Sequence, residues 1–238
     1  MVLKLVDSIR DDEPRVGTRK LHDRLSKSGM QLGRDFLFTL FRKTGYLVKP
    51  KKSYVKTTHS KHRYAVAPNR IKKLLEVKPK QVLVADITYI SLPKKEHAYL
   101  YLVTDLGSRQ IVGYHVSRDL THHSALIALD NAVQLMGDVT EIIHHSDRGS
   151  QYCCHEYLRY LHAQGMVASM TDESHCYQNA VAERVNGILK GEFNLDSIFE
   201  NFAALRASVH KAILVYNTKR THWSLGLRTP QEVYDAAA

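Results

Sequence analysis

The chain has 238 residues, 44% of them hydrophobic and 24% charged, enough for one large domain or for a medium domain with a small companion. No apolar run approaches the roughly 18 residues a membrane helix needs, the acidic start MVLKLVDSIRDDE is not a secretory leader, and three cysteines with two adjacent make no disulfide framework, so a reduced, cytosolic protein is expected. The net charge of +10 is unevenly spread: residues 1–80 hold 21 Lys and Arg against 7 Asp and Glu, residues 81–238 hold 13 against 17, and this asymmetry points to a polyanion-binding module joined to something else.

In chain order, residues 2–10 read as a short helix. In PRVGTRKLHDRLSKSG, Thr18 is the expected N-cap, Leu21 and Leu25 share a face at i, i+4, and Gly29 stops the helix. RDFLFTLFRKTG is a third helix with Leu37, Leu40 and Phe41 as its apolar face and Gly45 as its stop. Two short helices, a Gly-containing turn and a basic third helix make a helix-turn-helix-like domain over residues 1–48. Arg34, Thr39, Arg42 and Lys43 lie on or near its polar side and are candidates for DNA contact; the alternative is a small helical domain with basic solvent faces.

Residues 49–80 follow as a basic linker. Between residues 42 and 80 there are 13 basic residues and one acid, Glu76, with Pro50, Pro68 and Pro79 as punctuation and Tyr46, Tyr54 and Tyr64 interleaved. This reads as an extended segment that tracks phosphates, Lys49, Lys51 and Lys52 among its contacts, with aromatics able to stack. His59 and His62 have H-x-x-H spacing, but no cysteine or carboxylate sits close by, so they read as linker histidines.

After Lys80 the texture changes. QVLVADITYI, AYLYLVTDL and RQIVGYHVS are three strands, the last two joined by a turn containing Gly107 and therefore antiparallel neighbours. A helix over 122–136, a strand over 140–146, a helix over 155–165, a strand over 166–170 and two helices over 179–193 and 201–217 complete the order β-β-β-α-β-α-β-α-α. That is the order of ribonuclease-H-like folds: an α/β protein with a mixed five-stranded sheet flanked by helices. Residues 81–238 are read as this core with a helical C-terminal tail.

Three carboxylates stand out in that order. Asp86 sits within the first strand, Asp147 follows the last residue of the fourth, and Glu183 lies early in a later helix, with 35 residues between Asp147 and Glu183. If the first and fourth strands lie side by side, the two aspartates come to one end of the sheet and the helix can pack across it. Converging carboxylates repel unless a cation neutralises them, and hard oxygen ligands without Cys or His select Mg²⁺ or Mn²⁺. Two such ions, roughly 4 Å apart, activate a nucleophile and stabilise the leaving oxygen of a phosphodiester. The alternative is that each acid is separately structural, Asp147 for instance in the turn before Gly149. Glu183, Asn186 and Lys190 share a helix face at i, i+3, i+7, while Val181, Val185, Ile188 and Leu189 face elsewhere. Lys190 either points at DNA phosphate or is a solvated lysine.

With these residues the chain resembles the second-frame transposases of the large bacterial insertion-sequence family that carries an integrase-type catalytic core. The resemblance rests on ADITYI, HSDRGSQY, NAVAERVNGILK and the tail YNTKRTHWSLGLRTPQEVY. At the front it rests on RVGTRKLHDRL, LGRDFLFTLFRKTGYLVKPKK and TTHSKHRYAVAPN, so it covers nearly the whole chain. It implies a DDE polynucleotidyl transferase of the bacterial cytoplasm and nucleoid that binds the inverted repeats of its own element. Such an enzyme cuts a strand at the element's end with water and uses the freed 3′-hydroxyl to attack another phosphodiester. By the matching motifs, Asp86, Asp147 and Glu183 are the metal-binding triad for Mg²⁺ or Mn²⁺, two ions in all. Lys190 is a contact to the DNA end, and His145, Ser146, Arg148 and Gln151 line the site. The expected partners are double-stranded DNA, further copies of the chain, and an upstream first-frame product fused by frameshift; the expected start of this chain close to the second frame leaves that product's helix-turn-helix and zipper-like segment outside it. Two positions depart from the family pattern: Leu83 stands where members commonly have tryptophan, an expected packing change, and Gln178 stands where they commonly have an acid. The competing readings are a ribonuclease-H-like hydrolase, against which the basic front module and the 35-residue spacing speak, and a DNA-binding regulator or relic that occupies the element's ends without chemistry.

Overall fold

Five strands form one mixed sheet in the order β3-β2-β1-β4-β5. They are β1 (Val82–Ser91), β2 (His97–Asp105), β3 (Ile111–Ser117), β4 (Ile143–Ser146) and β5 (Val167–Met170). The computed structural model describes residues 1–48, 66–74, 76–172 and 179–237. Lys49, Lys51, Lys52, Tyr54, His59, His62, Tyr64 and Gln178 lie outside the described residues. Helices α1 (Val2–Asp12), α2 (Thr18–Lys27) and α3 (Arg34–Thr44) precede the sheet. Helices α4 (His122–Met136), α5 (Ser150–Cys153), α6 (His155–Ala163), α7 (Ala180–Glu192), α8 (Phe202–Thr218) and α9 (Pro230–Asp235) accompany it.

The β1–β2–β3 meander is antiparallel, and β4 returns parallel to β1 after the α4 crossover. Alternation along β1 divides its side chains between two layers. Leu83 and Ala85 join the core under α4 and α6, whereas Val82 and Val84 pack with Ala182 of α7. Leu83 is fully buried there, so the departure from tryptophan falls on a packing position. Beyond β2 and β3, the second face of the sheet is covered by α7 and α8 through Val185, Ile188, Leu189, Leu205, Val209 and Tyr216. α4 lies directly on β3: a Cβ at Gly113 would stand 2.2 Å from the carbonyl oxygen of Ala128.

The N-terminal helices have their own core of Val6, Val16, Leu21, Leu25, Leu37 and Phe41. Leu40 packs at its margin, and Gly45 ends α3 in the left-handed conformation at φ 76°. Two local expectations are corrected. Gly17, not Thr18, is the N-cap of α2, because Thr18 already takes helical geometry and is buried. β4 begins at Ile143 rather than near residue 140, because the backbone turns through Glu141 at φ 64°. The short α5 was not anticipated; α9, in the C-terminal tail, opens with a capping box between Thr229 and Glu232.

The helical domain docks on the core through charges. Lys20 of α2 stands 3.6 Å from Glu192 of α7, which the core's own Arg220 holds with two hydrogen bonds, 2.7 and 2.8 Å; the Arg15 amide donates to the Glu192 carbonyl at 3.2 Å, and Lys219 of the core reaches Asp12 at 2.5 Å. The described C-terminal part of the linker is not free chain. The Arg70 amide donates to Ser169 Oγ at 2.9 Å and Lys72 pairs with Asp172 at 2.9 Å, so this segment follows the otherwise open edge of β5. Among the described residues no helix is long and apolar enough to cross a membrane.

Candidate active site

Strand register brings Asp86 and Asp147 together. Ala85 of β1 pairs with Ser146 of β4 in the last step of their parallel ladder, so the next residues on the two strands are the two aspartates. Neighbouring strands run about 4.8 Å apart. Both side chains are partly buried. Each is held by its own backbone: the Ile87 amide donates to Asp86 Oδ1 at 2.9 Å, and the Gly149 amide donates to Asp147 Oδ1 at 2.9 Å. The short turn before α5 thus aims Asp147 while ending the strand.

α7 closes one side. Asn179 at its N-cap donates from Nδ2 to the Ala85 carbonyl at 3.0 Å, which ties the helix to the strand beside the first aspartate. Asn186, two turns in, donates from Nδ2 to Asp86 Oδ2 at 2.7 Å. Lys190, one further turn along the same face, lays its ammonium 4.6 Å from the Tyr89 ring centre. Burial pulls the Lys190 ammonium downward in pKa and the Asp86 charge opposes that shift. Asp86 itself is raised to about 7, first by burial and then by the negative charge of Asp147, against the hydrogen bonds from Asn186 and Ile87, with Glu183 adding a smaller repulsion.

A cavity of about 560 Å³ opens onto the aspartate pair, walled by Tyr89, His97, Tyr99, Leu120, Gln151 and Tyr152. Tyr89 and Tyr99 are cross-strand partners on β1 and β2, and His97 meets Tyr89 edge-on with 5.5 Å between ring centres. Asn179 and this aromatic wall escaped the reading of the sequence; the signal available for the wall was the aromatic run in ITYI facing HAYLY across an antiparallel pair.

The remaining expected residues divide. Glu183, the fourth residue of α7, is exposed on the face that carries Asn186 and Lys190, and it acts on Asp86 through charge. Among the described residues no three carboxylates, imidazoles or thiols stand close enough to hold one ion. Gln151 lines the cavity; His145, Ser146 and Arg148 do not. His145 is buried with Nδ1 2.8 Å from Ser169 Oγ, and Arg148 donates to the Thr171 carbonyl at 2.8 Å. Arg42 and Lys43 are exposed on the last turn of α3, and Arg34 is exposed but paired with Asp35 at 2.8 Å. The donor set at the strand ends is all oxygen, and two carboxylates on adjacent strands, one of them held above its ordinary pKa first by burial and then by the other, suit a hard divalent cation.

Comparison with known proteins agrees with this architecture. Residues 76–176 and residues 164–230 each match an integrase core domain family. The insertion element IS600 uncharacterized 31 kDa protein of Shigella sonnei is 34% identical over 218 residues, 90% of this chain and 79% of that protein. Transposase InsF for insertion sequence IS3A of Escherichia coli K12 is 30% identical over 222 residues, 91% of this chain and 76% of that protein. Among solved structures, the HTLV-2 integrase catalytic core domain in complex with magnesium shares the fold with a TM-score of 0.54 at 18% identity, over 67% of this chain and 99% of that one. The sheet order, the parallel β1–β4 pair and these relatives agree: the chain belongs to the bacterial insertion-sequence transposases with an integrase-like core, a family of polynucleotidyl transferases.

Proposed function

We propose that the chain cuts and rejoins DNA strands at the inverted-repeat ends of its element, in a reaction that depends on divalent metal, with Asp86, Asp147 and Glu183 as the metal-binding carboxylates. The observation that carries the reading is the register of β1 and β4, which sets two carboxylates side by side at the edge of a cavity. The integrase-type core implies use of a divalent metal, and two ions, Mg²⁺ or Mn²⁺, fit the charge of three carboxylates. Held by these carboxylates, such ions would supply activation of the attacking oxygen and charge neutralisation at the leaving oxygen.

The side chains do the positioning. The Ile87 and Asn186 donors fix both oxygens of Asp86, and the Gly149 amide fixes Asp147, so neither carboxylate has to reorganise when the substrate arrives. Lys190 holds its ammonium over the Tyr89 ring beside the aspartates, where a phosphate of the DNA end would sit. Tyr99, Leu120 and Tyr152 wall one flank of the cavity. Arg34, Arg42 and Lys43 of the helical domain, with Lys49, Lys51 and Lys52 in the linker, supply the sequence-independent phosphate contacts to duplex DNA. Concerted work on two ends requires at least two copies of the chain, with the upstream first-frame product as a further partner.

The test is a cleavage and joining assay on labelled duplexes of the element's own ends with Mg²⁺ or Mn²⁺, comparing the wild-type chain with Asp147→Asn. Metal-dependent nicking or joining that the substitution removes, with duplex binding retained, is the expected result. A second reading, a DNA-binding regulator without chemistry, draws on the exposed position of Glu183; binding with no strand chemistry in either protein supports it over the first.

A further inference from the structure

We propose that the cleft between the helical domain and the core binds a single-stranded stretch of DNA, its phosphates on a group of arginine and lysine side chains and one base against Trp223. The helix that carries Glu183 has two working faces. Glu183, Asn186 and Lys190 look toward Asp86, whereas Arg184, Ile188 and Glu192 recur at i, i+4, i+8 on the opposite side and line a separate cavity of about 720 Å³. Its other wall is the start of α2.

Charge in this cleft is one-sided. Arg15, Arg19 and Lys20 face Arg184 and Arg220 across it, and among the described lining residues Glu192 is the one carboxylate. Glu192 is already engaged by Arg220 at 2.7 and 2.8 Å. The Lys20 ammonium is buried, makes no hydrogen bond, and stands 3.6 Å from the nearer Glu192 oxygen. Its charge is met by Glu192, but its N–H donors have no acceptor, which is costly for a buried ammonium. Gly17 and Thr18 of the α2 start also line the cleft, and this ten-residue helix has neither a side-chain cap nor an acid in its first turn. Its uncompensated N-terminal dipole points to an anion as well.

Trp223 narrows the anion to a nucleic acid. It is the chain's one tryptophan and is 58% exposed at the rim. Its turn is held in place by the His222–Arg228 bridge and by buried Leu225. A fixed, open indole beside a row of cations is the arrangement on which bases of a single strand stack. The cavity is of the size that takes one small molecule, so it admits a nucleotide or two of a strand and no duplex. The choice of DNA over other polyanions rests on the transposase reading above; the existence of the site does not.

Because Trp223 is the sole tryptophan, its fluorescence reports on this cleft alone. The wild-type chain in EDTA is titrated with a short oligothymidylate, with the same sequence as a blunt duplex, and with inorganic phosphate. The expected result is saturable quenching by the single strand at concentrations where duplex and phosphate have little effect. Replacement of two exposed side chains, Arg19→Ala with Arg184→Ala, is expected to weaken that binding by about tenfold or more and to flatten its salt dependence. Asp147→Asn should leave the quenching unchanged. No quenching by the single strand overturns the proposal, as does quenching indifferent to the two arginines or equal quenching by phosphate. The two readings fail separately: lost cleavage with intact quenching removes the transferase reading, and intact cleavage without quenching removes this one.

Discussion

Asp86 registers the carboxylate pair at the strand ends in its own titration. Its carboxyl is raised to about 7, first by burial and then by Asp147, so in the metal-free chain it contributes stability that is fully present below the ordinary carboxylate pKa and is lost as pH rises through about 7. Asp86→Asn removes that loss. In EDTA near pH 8 the variant should melt higher than the wild-type chain, by about 1–2 kcal/mol of stability, and the gap should close toward pH 4; thermal melts across that range check it. A gap that stays constant with pH would show that the carboxyl is not under strain. Both aspartates were legible from sequence, Asp86 because it interrupts an apolar strand and Asp147 because it directly follows the end of one. Their contact with Asn186 was only half visible: spacing put Asn186 on the face of Glu183, but which side chain reaches Asp86 depends on where α7 sits over the sheet. The aromatic wall was not visible, since Tyr89, His97 and Tyr99 read as ordinary strand residues until strand pairing places them at the cavity.

At the scale of elements, periodicity was a good guide wherever an element is long and buried on one face. The α4 bounds match the expected 122–136, and β1 differs from expectation by a residue at either end. It failed where local backbone chemistry decides. The buried side chain of Thr18 takes the first helical position and leaves Gly17 as cap, and the positive φ of Glu141 delays β4. The α4–β3 contact gives a sharp prediction. At Gly113 any Cβ meets the Ala128 carbonyl at 2.2 Å and the Ala132 Cβ at 2.7 Å, so Gly113→Val forces the helix off the strand. Its cost should be about 3 kcal/mol or more, in the range of severe core overpacking, read as a fall in chemical-denaturation midpoint. By contrast, Thr229→Ala removes one capping box and should cost about 1 kcal/mol.

For the whole molecule, charge distinguishes a basic front half from a mildly acidic back half, but the way the helical domain joins the core is not written in charge. The Glu192 carboxylate of α7 binds Arg220 and stands 3.6 Å from Lys20, and the Glu192 backbone carbonyl accepts the Arg15 amide, so this one residue ties the helical domain to the helix of the site. Removing it leaves two buried cations facing each other. Glu192→Ala should therefore destabilise the chain by about 3–5 kcal/mol and loosen the helical domain, detectable as faster amide exchange in α2; an unchanged exchange rate would mean the domains are held by their apolar contacts instead. The burial of Lys20 brings it down to about 8 and shows how closely the domains meet. None of this follows from sequence, because Lys20, Glu192 and Arg220 are brought together only by the fold.

The most direct test of the account is a titration of the metal-free chain with Mn²⁺, followed by electron paramagnetic resonance, in the wild type and in Asp147→Asn. The account predicts saturable binding in the wild type that tightens as pH rises from about 6 to 8, because Asp86 must give up its proton, and its loss in the variant. Binding of equal strength in both proteins, or none in either, would contradict the claim that the paired strands hold a metal site.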